Sequence, residues 1–152
     1  MKNRNLNHKD HWQTPIEFYV LLNKEFDFNF DPCPYQHNIE LWDGLNIDWG
    51  ERTFINPPYS QKLKEAFVIK AIEQSMQGKL CVCLLPVSTS TKLFHNYILP
   101  HKTELRFLYR RLKFSGVNVK GEIVSNKTGM HDSMIVIFDG RTPRKSPHLK
   151  LN

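Results

Sequence analysis

Two kinds of hydrophobic spacing alternate along the chain. In "TPIEFYVLLNKEF", Phe18, Leu21, Leu22 and Phe26 recur at helical intervals. Thr14 is placed to cap that helix, Pro15 to take its first position and Glu17 to complete a capping box. "FDFNFDP" then alternates apolar and polar residues and stops at Pro32, which predicts a short strand ending near Asp31. Residues 32–51 have little periodicity and carry Pro, Asn, Gly and Asp, so they are expected to be mostly loop. "RTFIN" is the next predicted strand. A helix is expected over "QKLKEAFVIKAIEQSMQG", with Leu63, Phe67, Ile69 or Lys70, Ile72 and Met76 near one face and Gly78 ending it. "KLCVCLLP" is apolar throughout, the pattern of a strand buried on both faces of a parallel sheet. "STKLFHNYILP" predicts a short helix, "ELRFLYR" a strand, residues 110–132 a polar connector and "SMIVIF" a closing strand.

Alternation of strands and helices predicts an α/β domain whose sheet is mostly parallel, with right-handed crossovers. The last two strands have no clear helix between them, which permits an antiparallel edge strand. This layout is similar to a single Rossmann-like class I methyltransferase domain. The 152 residues suffice for one such domain and not for two substantial ones. We place it at residues 12–140, between a flexible basic arm (1–11) and a basic tail (141–152).

Charge narrows the partners. Lys and Arg total 21 against 15 Asp and Glu, a net charge of +6, which favours an anionic partner such as nucleic acid. No apolar run approaches membrane-spanning length, and "MKNRNLNHKDHW" lacks a signal-peptide core. Cys33, Cys81 and Cys83 form no C-x-x-C pair; Cys81 and Cys83, two apart on a strand, share a face and are expected to pack as reduced thiols. No metal site is expected.

Candidate chemistry concentrates where "RTFIN" runs into Pro57, Pro58 and Tyr59. Two successive prolines cannot extend a strand, so the strand stops at Asn56. In an open α/β sheet the carboxyl ends of strands are where ligands sit. The exocyclic nitrogen of adenine is a poor nucleophile because its lone pair is delocalised into the ring. A side-chain amide oxygen and a proline-held carbonyl can accept both of its hydrogens and draw the nitrogen toward tetrahedral geometry. Asn56 and Pro57 suit those roles, Pro58 freezes the turn, and Tyr59 can stack on the base. The plain alternative is a turn anchored by a tyrosine.

Asn-Pro-Pro-Tyr between a strand and a helix resembles the catalytic motif of amino-group methyltransferases, whose substrates include adenine in DNA or RNA and glutamine in proteins. The ordered set "WQTPIEF", "FDFNFDPCP", "DGLNIDW", "FINPPYS", "LLPVSTSTKLF", "RRLKF" and "HDSMIVIF" is similar to the small DNA N-6-adenine methyltransferases of bacteriophages and prophages. The resemblance covers most of residues 12–138. It implies S-adenosylmethionine as cofactor, duplex DNA as partner and the cytoplasm of a bacterial host as setting. It also implies a cofactor pocket drawing on Trp12, Thr14, Pro15, Asp31, Pro32 and Asp43. Taken alone, Asp31 and Asp43 could equally cap turns, and Trp12 could staple the helix entry.

The chain departs from the wider methyltransferase pattern at two places. "DPCPYQHN" contains no glycine where a glycine-rich loop is usual, and Ser88 and Ser90 stand where an Arg and an Asp are expected. Between the last two predicted strands, residues 110–131 carry Arg110, Arg111, Lys113, Lys120 and Lys127 against only Glu122 in opposite charge, so this segment is the expected DNA contact; a solvated connector is the alternative. The functional reading is therefore an adenine-N6 DNA methyltransferase. Its rivals are a methyltransferase acting on RNA or protein glutamine, and a nucleic-acid-binding module with a decayed cofactor pocket.

Overall fold

The computed structural model of the chain describes residues 11–117, 120, 122–128 and 131–141, with backbone alone at 117 and 124–128. Its main sheet contains β2 (Arg52–Ile55), β3 (Leu80–Pro86), β7 (Ser133–Asp139) and β4 (Glu104–Phe107), in that order. Only β2 and β3 pair in parallel; β7 runs antiparallel to both β3 and β4. The sheet is therefore mixed, where a mostly parallel one was expected, and its antiparallel strand is interior, where an edge strand was expected. Burial explains the placement. Every residue of β3 is buried, as is β7 up to Phe138, so each needs neighbours on both sides. In β4, Glu104 and Phe107 are exposed, and this polar strand takes the edge.

Side chains alternate across β3. Cys81, Cys83 and Leu85 pack with Phe67, Val68, Ala71 and Ile72 of α2 (Gln61–Met76), and with Phe94 and Ile98. Leu80, Val82 and Leu84 pack on the other face with Leu22 and Phe26 of α1 (Ile16–Phe26), and with Phe114. All three cysteines are buried, with Cys81 and Cys83 on one face as their spacing required. On α2 the apolar stripe lies slightly off the expected face: Met76 is 70% exposed, and Val68 and Ala71 fill the core instead. Arg106 of β4 clamps α1 through two bonds to Glu25, at 2.7 and 2.6 Å, which hold the Glu25 carboxyl below its ordinary range.

Three local expectations change. The predicted strand over "FDFNFDP" is one parallel bridge, Phe30 to Thr53. Asp27 ends α1 in the left-handed region at φ 52°, and Pro32 cannot continue a ladder, so little chain is left between them. The helix after β3 is π-helical over Leu93–Ile98 before α3 (Leu99–His101); Pro100 has no N–H to close an α-helical turn there. Residues 110–132, expected to be a connector, contain the strands β5 (Lys113–Val117) and β6 (Ile123–Thr128). They form a second sheet with β1 (Trp12–Gln13), in the order β1-β5-β6. Their polar composition hid them: Phe114 and Gly116 are its only buried residues among those with described side chains, and ladder bonds supply the order. Of the expected arm (1–11) and tail (141–152), all but His11, which is buried, and Arg141, which pairs with Asp139, lie outside the described residues.

Candidate active site

At the carboxyl end of β2 the chain turns at Asn56-Pro57-Pro58-Tyr59 and enters α2 at Gln61. Asn56 is only 5% exposed. Its Nδ2 donates to the Trp12 carbonyl at 2.6 Å and to Thr14 Oγ1 at 3.0 Å. A carbonyl can only accept, so the Trp12 contact fixes which end of the amide faces β1. The other end, Oδ1, is buried and has no hydrogen-bond partner among the described residues. The Asn56 backbone carbonyl accepts from His11 Nε2 at 3.1 Å and from Cys33 Sγ at 3.5 Å. Tyr59 turns its ring edge-on to Phe114 of β5, with centroids 6.3 Å apart. Its hydroxyl is buried without a partner among the described residues, and burial pushes its pKa well above the ordinary phenol range.

The cofactor candidates fall into two groups around this turn. Trp12 lies on β1 opposite Gly116, whose missing side chain matters: a Cβ there would stand 2.9 Å from Trp12 Cε3. Thr14 and Pro15 do not cap as predicted. Pro15 is the N-cap of α1 and makes no side-chain cap bond, while the Thr14 hydroxyl is turned to Asn56. In the second group, Asp31 follows the Phe30 bridge and accepts from the Cys33 N–H at 2.9 Å. Burial pushes its carboxyl up to about 6, against the opposing pull of that bond. Its charge also adds to the burial that raises the Tyr19 hydroxyl. Asp43 accepts from the Leu45 N–H at 2.9 Å and caps a 3₁₀ turn over Gly44–Asn46. Gly44 lies hard against Pro32, and a Cβ on it would fall 1.9 Å from the Pro32 oxygen. Thus Asp31, Pro32 and Asp43 belong to one packed unit, and Cys33 joins that unit to Asn56.

A family model described as DNA N-6-adenine-methyltransferase (Dam) matches residues 2–150. The chain belongs to the Dam family. No curated protein and no solved structure matches it. Among the described residues of this Dam-family chain, no helix is long and apolar enough to cross a membrane, and no cluster of three His, Cys, Asp or Glu could hold a metal.

The candidate DNA residues of this Dam-family chain are unevenly placed. Arg110 is exposed, its guanidinium 5.7 Å from the ring of Tyr109, itself 95% exposed. Arg111 is tied to Asp132 at 3.0 Å. Lys113 begins β5, and Lys120 is exposed in the turn beyond it; the side chain of Lys127 lies outside the described residues. A cleft of about 630 Å³ opens between the first turns of α2 and the segment after β3, lined among others by Gln61, Lys64, Ser88, Thr91, Lys92 and Tyr97. Burial lowers the Lys64 pKa there. Sequence reasoning missed this cleft, together with His11 and the Cys33 contact. Nothing in their spacing signals a bond to a residue more than twenty positions away.

Proposed function

We propose that the chain transfers a methyl group from S-adenosylmethionine to the exocyclic nitrogen of adenine in DNA, on a Rossmann-like methyltransferase domain. The observation that carries this reading is Asn56 Oδ1: buried, fixed in direction by the two bonds of its own nitrogen, and unpartnered. Burying an unsatisfied acceptor costs about 1–3 kcal/mol, a cost that an acceptor awaiting a substrate N–H explains. Asn56 Oδ1 and the Pro57 carbonyl accept the two amino hydrogens, localising the lone pair on nitrogen. The methyl would exchange its bond to the sulfonium sulfur, left as a neutral thioether, for one to this nitrogen, and one of those hydrogens would leave as a proton toward solvent. Tyr59, braced edge-on by the core residue Phe114, would supply an aromatic wall for a base taken out of its stack.

The residues around Asp31 fit the cofactor. A carboxyl raised by burial and holding one local N–H is suited to an ammonium group, which would restore its ionised form. Asp31 and Asp43, braced by Pro32 on Gly44, would hold the amino-acid and nucleoside ends, with Trp12 and Pro15 beside them. When bound, S-adenosylmethionine supplies an electrophilic methyl group on a sulfonium. Arg110, Lys113, Lys120 and Lys127 would grip phosphates, Arg111 less so because Asp132 competes for it.

The test is transfer of labelled methyl to DNA, RNA and protein, followed by nucleoside analysis. N6-methyladenine in DNA is expected. Asn56→Ala should lower kcat by about two to three decades, or ~3–4 kcal/mol of barrier. Label confined to RNA or to protein glutamine would overturn the DNA reading. Absence of cofactor binding even with DNA present would favour the binding-module rival.

A further inference from the structure

We infer that Thr14 is a positioning residue that aims the Asn56 amide, and that its hydroxyl acts on Asn56 instead of on the cofactor. The inference rests on the methyl-transfer reading given above and names a further residue for it. Three observations carry it. First, Asn56 Nδ2 has two hydrogens and two acceptors, the Trp12 carbonyl at 2.6 Å and Thr14 Oγ1 at 3.0 Å. Filling both leaves the amide no reason to rotate, so Oδ1 keeps one direction. Second, Thr14 has no local task that would explain its hydroxyl: α1 is capped by Pro15 without any side-chain bond. Third, the partner acceptor is itself braced. Trp12 pairs with Gly116 across β1 and β5, and only a glycine lets the strands lie this close, since a Cβ would meet Trp12 Cε3 at 2.9 Å and the His11 oxygen at 3.0 Å.

The consequence is a division of labour within "WQT". The Trp12 carbonyl decides which end of the amide points inward, and the Thr14 hydroxyl stops it from swinging about its remaining bond. Transfer rates respond steeply to such orientation, because a misplaced acceptor no longer lies where the amino hydrogen arrives. Cofactor affinity has no such dependence on the Asn56 amide.

The experiment compares wild type, Thr14→Val and Thr14→Ser in kcat, cofactor Kd by calorimetry, and the side-chain amide resonances of Asn56 in the free protein. Thr14→Val keeps the shape and removes the acceptor. It should lower kcat by roughly ten- to a hundredfold, leave cofactor Kd within about twofold, and expose one Asn56 amide proton to exchange. Thr14→Ser should restore kcat to within about threefold and restore the protection. If Thr14→Val does not fold, Thr14→Ala takes its place and should give the same kcat loss with unchanged Kd. An unchanged kcat in a folded Thr14→Val, or in Thr14→Ala standing in for it, overturns the inference while the methyl-transfer reading stands. A loss seen only in cofactor Kd makes Thr14 a cofactor contact and also overturns it. No adenine methylation by wild type overturns the inference together with the reading beneath it.

Discussion

Asp31 offers the most quantitative test, because its carboxyl is held at about 6 against an ordinary 3.8. Burial causes the rise, and the Cys33 N–H opposes it without cancelling it. A carboxyl that binds its proton more tightly when folded destabilises the fold once it must ionise. Below pH 3.8 both states are protonated and there is no penalty. Between pH 3.8 and 6 stability falls, and above 6 the loss is complete. At ~1.4 kcal/mol per decade of proton affinity, the full loss is about 3 kcal/mol. Asp31→Asn keeps an acceptor for the Cys33 N–H and removes the titration. Urea unfolding of both proteins from pH 4 to pH 7 should therefore show the variant gaining stability on wild type as pH rises, with the change concentrated below pH 6. Acid titration of the remaining carboxylates is common to both and drops out of the difference.

The same ionisation should govern cofactor binding. An ammonium group requires the charged carboxylate, so wild-type affinity should rise with pH up to about 6 and then level. Asp31→Asn should bind more weakly and without that dependence. Stability curves that run parallel across the window would refute the buried-carboxyl argument. A cofactor affinity with identical pH dependence in both proteins would remove Asp31 from the pocket.

Three further outcomes follow from particular contacts. Tyr59→Phe deletes a buried hydroxyl that has no partner, so it should melt no lower than wild type, with a gain of up to about 1–3 kcal/mol, and retain methyl transfer; a marked loss of stability would mean that the hydroxyl is satisfied. Gly44→Ala drives a Cβ into the Pro32 backbone and should lower stability by about 1–3 kcal/mol in a denaturant titration, with cofactor affinity falling alongside; a neutral effect would show that the two segments part easily. Arg110→Ala should reduce the log–log salt slope of duplex binding by about 0.9 on any sequence, and Arg111→Ala by less because of its bridge to Asp132; unchanged slopes would make this face a solvated one.

What could be read from the sequence was what neighbouring residues decide among themselves. The unbroken apolar run of "KLCVCLLP" specified a buried strand, and its two cysteines fell on one face because strand geometry alone requires it. The turn at Asn56 was equally legible, since two prolines forbid anything else. The fold departed from expectation where partners far along the chain decide. Thr14 carries a good local capping signal, yet a buried amide more than forty positions away competes for its hydroxyl and wins. β5 and β6 have too few apolar residues to announce themselves; β5 is ordered by pairing with β1 at the opposite end of the chain, and β6 by pairing with β5. The interior place of β7 depends on comparing its apolarity with that of β4, which no single window reveals.

On the proposed reading, the missing glycine loop after Asp31 would not by itself remove the cofactor site. A glycine in such a loop serves to let backbone approach backbone without a Cβ between them. Here that service comes from Gly44, whose Cα lies against the Pro32 carbonyl and which brings the Asp43 turn with it. Trp49 locks the arrangement by donating from Nε1 to the Gly44 carbonyl at 2.7 Å. The close approach is therefore made between two loops instead of within one. A pattern that demands glycine next to Asp31 looks for the right geometry at the wrong sequence position. The Asp31–Asp43 unit is then held from both sides, by Trp49 in the core beneath and by Cys33 on the Asn56 carbonyl. Since Asn56 is in turn gripped by His11, Trp12 and Thr14, a disturbance in any one of these segments reaches the turn that carries the proposed chemistry.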